Sequence, residues 1–168
     1  PTRRSSDLSH PNSTVTAQRN NLMINQVKAL FGESPTDLDR FIFASQVVQA
    51  EAMKYFIELW RMEKFNKTGI IWWNLRDGWP IISDAVVDYY NSKKLAYYYI
   101  RQVQHNGCVM IGDSRRGNHP VVAVNDTREK KQGTVSVRDI ETGENLFSAA
   151  FDLPVNSKTM IGFIPEKD

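Results

Sequence analysis

The sequence predicts an α/β segment followed by an all-β segment. Through the first hundred residues apolar side chains recur at helical spacing, and one short apolar run, Ile70 to Trp73, opens into a Trp-rich polar loop. Past His105 the apolar residues alternate with polar ones in five short runs. These patterns are typical of amphipathic helices, of a strand buried on both faces and of half-exposed strands, respectively.

Three helices are expected in the first segment. Gly32 stops the first of them, and the second begins where two capping boxes overlap, with Pro35 at a first-turn position. The third opens after the polar loop. In chain order, the predicted helices are Thr16 to Phe31, Ser34 or Thr36 to about Lys64, and Ser92 to about His105.

The all-β segment contains five candidate strands at regular intervals. Turn signals such as Gly117-Asn118 and Thr142-Gly143 separate them. A complete immunoglobulin-like domain has about seven strands, so we predict an incomplete immunoglobulin-like β-sandwich over residues 106–168. The predicted strands are Gly107 to Ile111, His119 to Asn125, Gly133 to Asp139, Asn145 to Asp152 and Thr159 to Ile164.

The polar loop after Ile70–Trp73 is the candidate ligand site. Aromatic faces beside amide and carboxylate groups suit a sugar, whose C–H faces stack while its hydroxyls need donors and acceptors. The candidate substrate-binding residues are therefore Trp73, Asn74, Asp77 and Trp79. Most of these residues could instead have a purely structural role. Asp77 suits an Asp-Gly turn and Trp79 could pack the loop. Adjacent strand residues face opposite sides, so one of Trp72 and Trp73 is expected to lie in the core.

A motif in the same stretch resembles glycoside hydrolase family 2, particularly its β-mannosidase-like members. The family pattern is roughly G-x-x-Y-W-Q-L-N-D-x-W-P, followed by an aspartate-tyrosine pair, a lysine and an alanine-tyrosine-tyrosine helix. Among the departures from it, Asn74 replaces the usual glutamine, Arg76 the usual asparagine, and Gly78 a frequent cysteine. The matching positions are Gly69, Trp73, Leu75, Asp77, Trp79, Pro80, Asp88, Tyr89, Lys94, Ala96, Tyr97 and Tyr98.

The resemblance implies the C-terminal portion of a (β/α)8 TIM barrel over residues 9–105, with Trp73 as the sugar platform. It also implies a retaining β-glycosidase whose two catalytic glutamates lie on earlier strands. Because Glu51, Glu58 and Glu63 fall on a predicted helix, we expect no catalytic residue in this fragment and no activity from it alone. The alternative hypothesis is a non-catalytic carbohydrate-binding or scaffolding protein.

The first eight residues, PTRRSSDL, are similar to the in-frame translation of a common sequencing adapter. We interpret residues 1–8 as an artefact and exclude them from the fold prediction. The alternative is a basic arm that touches nucleic acid or membrane. Its two arginines, offset by one aspartate, make only a weak basic patch.

The resemblance implies a carbohydrate partner, a β-linked glycan or oligosaccharide. A net charge of +2 does not indicate nucleic-acid binding, and no run of about 20 apolar residues could span a bilayer. Cys108 is expected to be a small buried apolar group. We expect neither metal nor cofactor, favour a periplasmic or extracellular location, and leave the oligomeric state open. Three Asn-x-Thr/Ser sequences match the glycosylation pattern at Asn12, Asn66 and Asn125.

Overall fold

A computed structural model describes residues 14–166, with residues 14–17 and 19 described by their backbone only. The segment 1–8 and Asn12 lie outside the described residues. Three helices precede five strands, as predicted. In chain order the elements are α1 (Thr14–Phe31), α2 (Leu38–Met62), α3 (Leu95–Val103), β1 (Gly107–Ile111), β2 (Asn118–Asn125), β3 (Lys131–Arg138), β4 (Asn145–Leu153) and β5 (Ser157–Pro165).

The chain folds into two compact units. The first contains the described residues up to Tyr55 together with Ile71–Gln102, and the second contains Phe56–Ile70 and the chain from Val103 onward. Helix α2 therefore contributes its first two thirds to one unit and its last turns to the other. The predicted division at residue 105 stays a prediction.

The ends of α1 and α2 follow local chemistry. Gly32 ends α1 with a φ of +81° and donates its N–H to the Lys28 carbonyl at 2.8 Å, because glycine adopts the left-handed conformation without a Cβ clash. Asp37 caps α2, since its Oδ1 accepts the Arg40 N–H at 3.0 Å. The predicted start of α2 at Ser34 or Thr36 was thus a few residues early.

In the first unit, α2 holds the start of α3 and the loop before it. Gln46 Oε1 accepts the Leu95 N–H at 3.0 Å, which satisfies one of the free donors at the N-terminus of α3. Gln49 Nε2 donates to the Asp84 carbonyl at 2.6 Å. The buried apolar residues of this unit are Val27, Ala44, Ala50, Ala85, Val86, Ala96 and Ile100.

The second unit contains two antiparallel sheets, consistent with the predicted sandwich. One sheet has the strand order β1-β2-β5 and the other pairs β3 with β4. The two sheets meet where the ring of Phe147 in β4 packs on Gly162 of β5. The contact is so close that a Cβ at Gly162 would lie only 2.7 Å from the ring. All five strands lie within about two residues of their predicted bounds. Cys108, expected to be buried, is half-buried in β1.

Asn125, at the end of β2, is fully buried and fully hydrogen-bonded. Its Nδ2 donates to the carbonyls of Glu129 at 2.7 Å and Pro154 at 2.9 Å, and its Oδ1 accepts the N–H and the hydroxyl of Thr127 at 3.0 and 2.7 Å. These bonds hold the turn after β2 against the end of β4. Because the amide nitrogen is buried and occupied, Asn125 is not a glycosylation acceptor in the folded chain.

The end of α2 is tied to β2 by an ion-pair cluster within the second unit. Arg61 and Lys64 both contact the Asp126 carboxylate, Arg61 at 2.6 Å, and Arg61 also donates to the Val103 carbonyl. Partial burial of Asp126 works to raise the pKa of its carboxyl, but the hydrogen bonds and positive charges of Lys64 and Arg61 outweigh burial. The pKa of Asp126 is therefore lowered from its ordinary value.

The lowered pKa predicts acid sensitivity at this cluster. A carboxyl with a depressed pKa in the folded state stabilises the fold above its unfolded pKa, about 3.9, and loses that contribution as pH falls through the folded value. Because the Asp126 side chain is 38% exposed, we expect Asp126→Asn to cost about 1 kcal/mol or less at pH 7 and a smaller amount at about pH 3, below the unfolded pKa. Urea unfolding at both pH values measures this, with Asp152→Asn, an exposed carboxylate on β4, as the matched control. A cost that did not shrink in acid would contradict the prediction.

Candidate functional site

Exposure alternates from residue to residue along residues 70–75. Ile71 and Trp73 are 95% and 74% exposed and Leu75 is also exposed, whereas Ile70, Trp72 and Asn74 are half-buried. The prediction of a strand buried on both faces was therefore wrong for Ile70–Trp73. The reason is that no strand of residues 14–166 lies beside this run, so nothing covers its odd-numbered side chains.

Three short backbone segments form the frame of the site. The Val86 N–H donates to the Asn74 carbonyl at 3.2 Å, the Val87 N–H to Leu75 at 3.0 Å, and the Asp77 N–H back to Val87 at 3.1 Å. On its other side Val87 pairs with Lys93 in an isolated antiparallel bridge. Residues 74–77, 86–88 and 92–94 thus lie side by side. This is a local frame of isolated bridges and does not confirm the barrel part of the predicted fold.

Four candidate site residues lie on or next to this frame. Trp73 and Trp79 have exposed rings, the latter 65% exposed. Asn74 follows a cis peptide bond and is half-buried, and its Oδ1 is a buried acceptor without a partner among the described residues. Asp77, in contrast, is buried. Their binding of a sugar stays a prediction.

The Asp77 carboxylate is occupied by protein groups. One oxygen accepts a short hydrogen bond from the Ser83 hydroxyl, and the other forms an ion pair with Lys94 Nζ at 3.4 Å. Lys94 Nζ also donates to the Ser83 carbonyl at 3.1 Å, and the Ser83 hydroxyl oxygen accepts the Ala85 N–H at 3.0 Å. Besides standing in the Asp-Gly turn considered from the sequence, Asp77 therefore binds Ser83 and Lys94, which lie farther along the chain. Arg76, on the opposite side, is exposed and donates to the Tyr89 carbonyl at 3.1 Å.

Sequence reasoning did not find Ser83 or the two glutamines of α2 as parts of this site. Lys94 stood in the family motif, but no role followed from its position. No local spacing rule joins Asp77 to a lysine 17 residues away or Gln49 to a carbonyl 35 residues away. The available signal was weak: polar residues beside an apolar run, which predicted the loop and not its contacts.

Within residues 14–166 no three side chains of His, Cys, Asp or Glu are grouped to hold a metal ion. None of the described helices combines the length and the apolarity needed to cross a bilayer. His105 and His119 each place a ring nitrogen next to a backbone carbonyl, at 3.2 and 3.0 Å.

Comparison with curated proteins finds several fungal relatives. The chain is 39% identical over 87 residues to β-mannosidase B of Aspergillus niger and 41% identical over 87 residues to β-mannosidase B of Aspergillus terreus. Each match covers 50% of this chain and 10% of the relative. The matched part thus spans about a tenth of the length of these relatives. No protein-family model matches the chain.

Solved structures extend the similarity to nearly the whole chain. A β-D-mannosidase of Dictyoglomus thermophilum superimposes with a TM-score of 0.77 and 28% identity over 91% of this chain and 19% of that protein. An exo-chitosanase of Amycolatopsis orientalis shares the fold with a TM-score of 0.65 and 20% identity, over 84% of this chain and 17% of its own. Together these similarities confirm the resemblance to β-mannosidase-like enzymes of glycoside hydrolase family 2 that the motif around Trp73 and Trp79 predicted.

Proposed function

We propose that this chain is a segment of a retaining, exo-acting β-glycosidase of the β-mannosidase type. The observation that carries the proposal is a loop with two exposed tryptophan rings, Trp73 and Trp79, in a chain that is similar to a bacterial β-D-mannosidase over 91% of its length. In this proposal residues 9–105 end a (β/α)8 barrel and residues 106–168 begin an immunoglobulin-like sandwich. The loop then lies at the end of the last barrel strand, where such enzymes place their sites.

The side chains of the loop support a sugar ligand. Exposed indole rings present flat apolar faces on which the C–H face of a pyranose can stack. Asn74 adds a carboxamide whose oxygen is buried and has no partner among residues 14–166, and a sugar hydroxyl is the kind of donor that such an acceptor needs. A mannoside or related hexoside offers both kinds of group on one small molecule.

The paired carboxylates of the reaction are placed outside this chain. Retaining hydrolysis needs two carboxyl groups about 5 to 5.5 Å apart on either side of the scissile bond. Glu51 and Glu58 lie on α2 and Glu63 follows it directly, whereas barrel enzymes carry their chemistry on the loops after the strands. In this chain the loop accordingly holds a sugar while acid/base and nucleophilic steps belong to earlier strands.

The complete open reading frame tests the proposal. The protein that it encodes is expected to release 4-nitrophenol from 4-nitrophenyl β-D-mannoside, and to lose that activity when either of two glutamates on earlier strands is replaced by glutamine. A complete protein that binds methyl β-D-mannoside without cleaving any β-glycoside would favour the non-catalytic carbohydrate-binding alternative. Absence of both binding and cleavage would refute a glycoside ligand.

The 168-residue chain by itself is expected to be inactive. Without the two carboxyl groups there is no proton for the leaving group and no covalent glycosyl intermediate. Release of 4-nitrophenol from β-mannosides and β-galactosides should stay at the rate of the buffer. Asp77→Asn is the control variant, because turnover that disappeared with this substitution would show that the chain contains its own catalytic carboxylate.

A further inference from the structure

A loop of residues 78–85, called the excursion below, connects two of the frame segments. Its hydrogen bonds all involve side chains. It carries Trp79 on its exposed side. In the described structure none of its residues makes a hydrogen bond from backbone to backbone, although residues 74–77 and 86–88 on either side do. A segment without such bonds adopts whatever conformation its side-chain contacts select.

Most of those contacts converge on one buried ion pair, and the other is the bond from Gln49 Nε2 of α2 to the Asp84 carbonyl at 2.6 Å. Ser83 reaches the Asp77 carboxylate with its hydroxyl and the Lys94 ammonium with its carbonyl, so the far end of the excursion is joined to both charges. Lys94 is also fixed through its backbone, since its N–H donates to the Val86 carbonyl at 2.9 Å. Asp77 closes the cluster from the near end of the excursion.

Burial makes this cluster strong when complete and costly when broken. The side chains of Asp77 and Lys94 are only 2% and 19% exposed. A buried carboxylate needs both a countercharge and hydrogen-bond donors, and loss of one partner leaves an uncompensated charge in an apolar site. Replacement of both charges by neutral groups avoids that penalty. The single substitutions are therefore expected to be harmful, whereas a double substitution that removes both charges is expected to be tolerated.

We propose that Asp77, Ser83 and Lys94 form a positioning cluster that sets the conformation of residues 78–85 and thereby the place of Trp79 in the sugar site. This inference rests on the proposed function for its ligand. In it Asp77 acts through the loop, since both of its oxygens are already occupied by Ser83 and Lys94.

Amide hydrogen exchange in the 168-residue chain tests the cluster directly. With Lys94→Met, the amides of Asp77, Ala85 and Val87 are expected to exchange at least about tenfold faster, while the amides of residues 42–55 in α2, which belong to the same unit, stay protected and report that this unit is folded. The matched control is Lys93→Met, at the exposed neighbouring position. The double variant Asp77→Asn/Lys94→Met is expected to return to within about threefold of the wild type. Equal exchange in Lys94→Met and wild type, or a loop unprotected in the wild type, would overturn the cluster.

Kinetics in the protein encoded by the complete open reading frame test the positioning role. Lys94→Met is expected to lower kcat/KM for 4-nitrophenyl β-D-mannoside at least about tenfold through a higher KM, with recovery in the double variant. Unchanged KM beside faster exchange would overturn positioning and leave Lys94 a purely structural residue. A wild-type protein without activity would refute the proposed function, while the exchange result would still decide whether the cluster holds the loop.

Discussion

Asn125→Ala is expected to destabilise the second unit by about 3 to 5 kcal/mol, because four good hydrogen bonds are lost and the buried partner groups stay unsatisfied. The side chain is 0% exposed, and its four shortest bonds, 2.7 to 3.0 Å, join the end of β2 to Thr127 and Glu129 in the following turn and to Pro154 after β4. Water cannot replace these bonds without opening the turn. Urea unfolding followed by circular dichroism measures the change.

Asn118→Ala is the matched control for that measurement. Asn118 lies at the other end of β2. Its side-chain amide donates one hydrogen bond, from Nδ2 to the Arg116 carbonyl at 3.2 Å. The same substitution there is expected to cost about 1 kcal/mol or less. Equal losses at the two positions would show that the Asn125 network contributes no more than one ordinary hydrogen bond.

Trp73→Ala and Trp72→Ala are expected to have opposite effects in the protein encoded by the complete open reading frame. Trp73 is largely exposed, so its loss should lower kcat/KM about tenfold or more by removing a stacking surface, with little change in melting temperature. Trp72, its neighbour, is half-buried. Its loss should cost about 3 kcal/mol, the lower end of the range for buried tryptophan, and leave kinetics nearly normal.

Melting temperature and kcat/KM, measured together for both variants, decide the assignment. Each variant serves as the control for the other, because the two residues are adjacent and receive the same substitution. A large stability loss for Trp73→Ala with normal kinetics, and the reverse for Trp72→Ala, would show that the ligand-facing side of the run is the opposite one.

Local patterns in the sequence predicted most of the backbone. The alternation of Val135 and Val137 with polar residues was sufficient for β3, because the period of two is a property of any strand that buries one face. Gly32 ended α1 because the left-handed conformation is cheap for glycine. The tryptophan-rich loop was found in the same way, from residue types that share a chemistry.

Only the tertiary structure decided which of those residues are buried and what they contact. Ile70–Trp73 has the composition of a fully buried strand, but burial depends on neighbouring strands, and no strand of residues 14–166 lies beside this run. From the sequence, Asp77 was predicted to be a turn residue or a sugar ligand. In the structure it pairs with Lys94, because the fold brings together two residues that are 17 apart in the chain. The sequence by itself determined periodicity, helix ends and the kind of chemistry in the loop, since these depend on adjacent residues. Ion pairs, buried amides and the exposed side of a strand depend on distant ones.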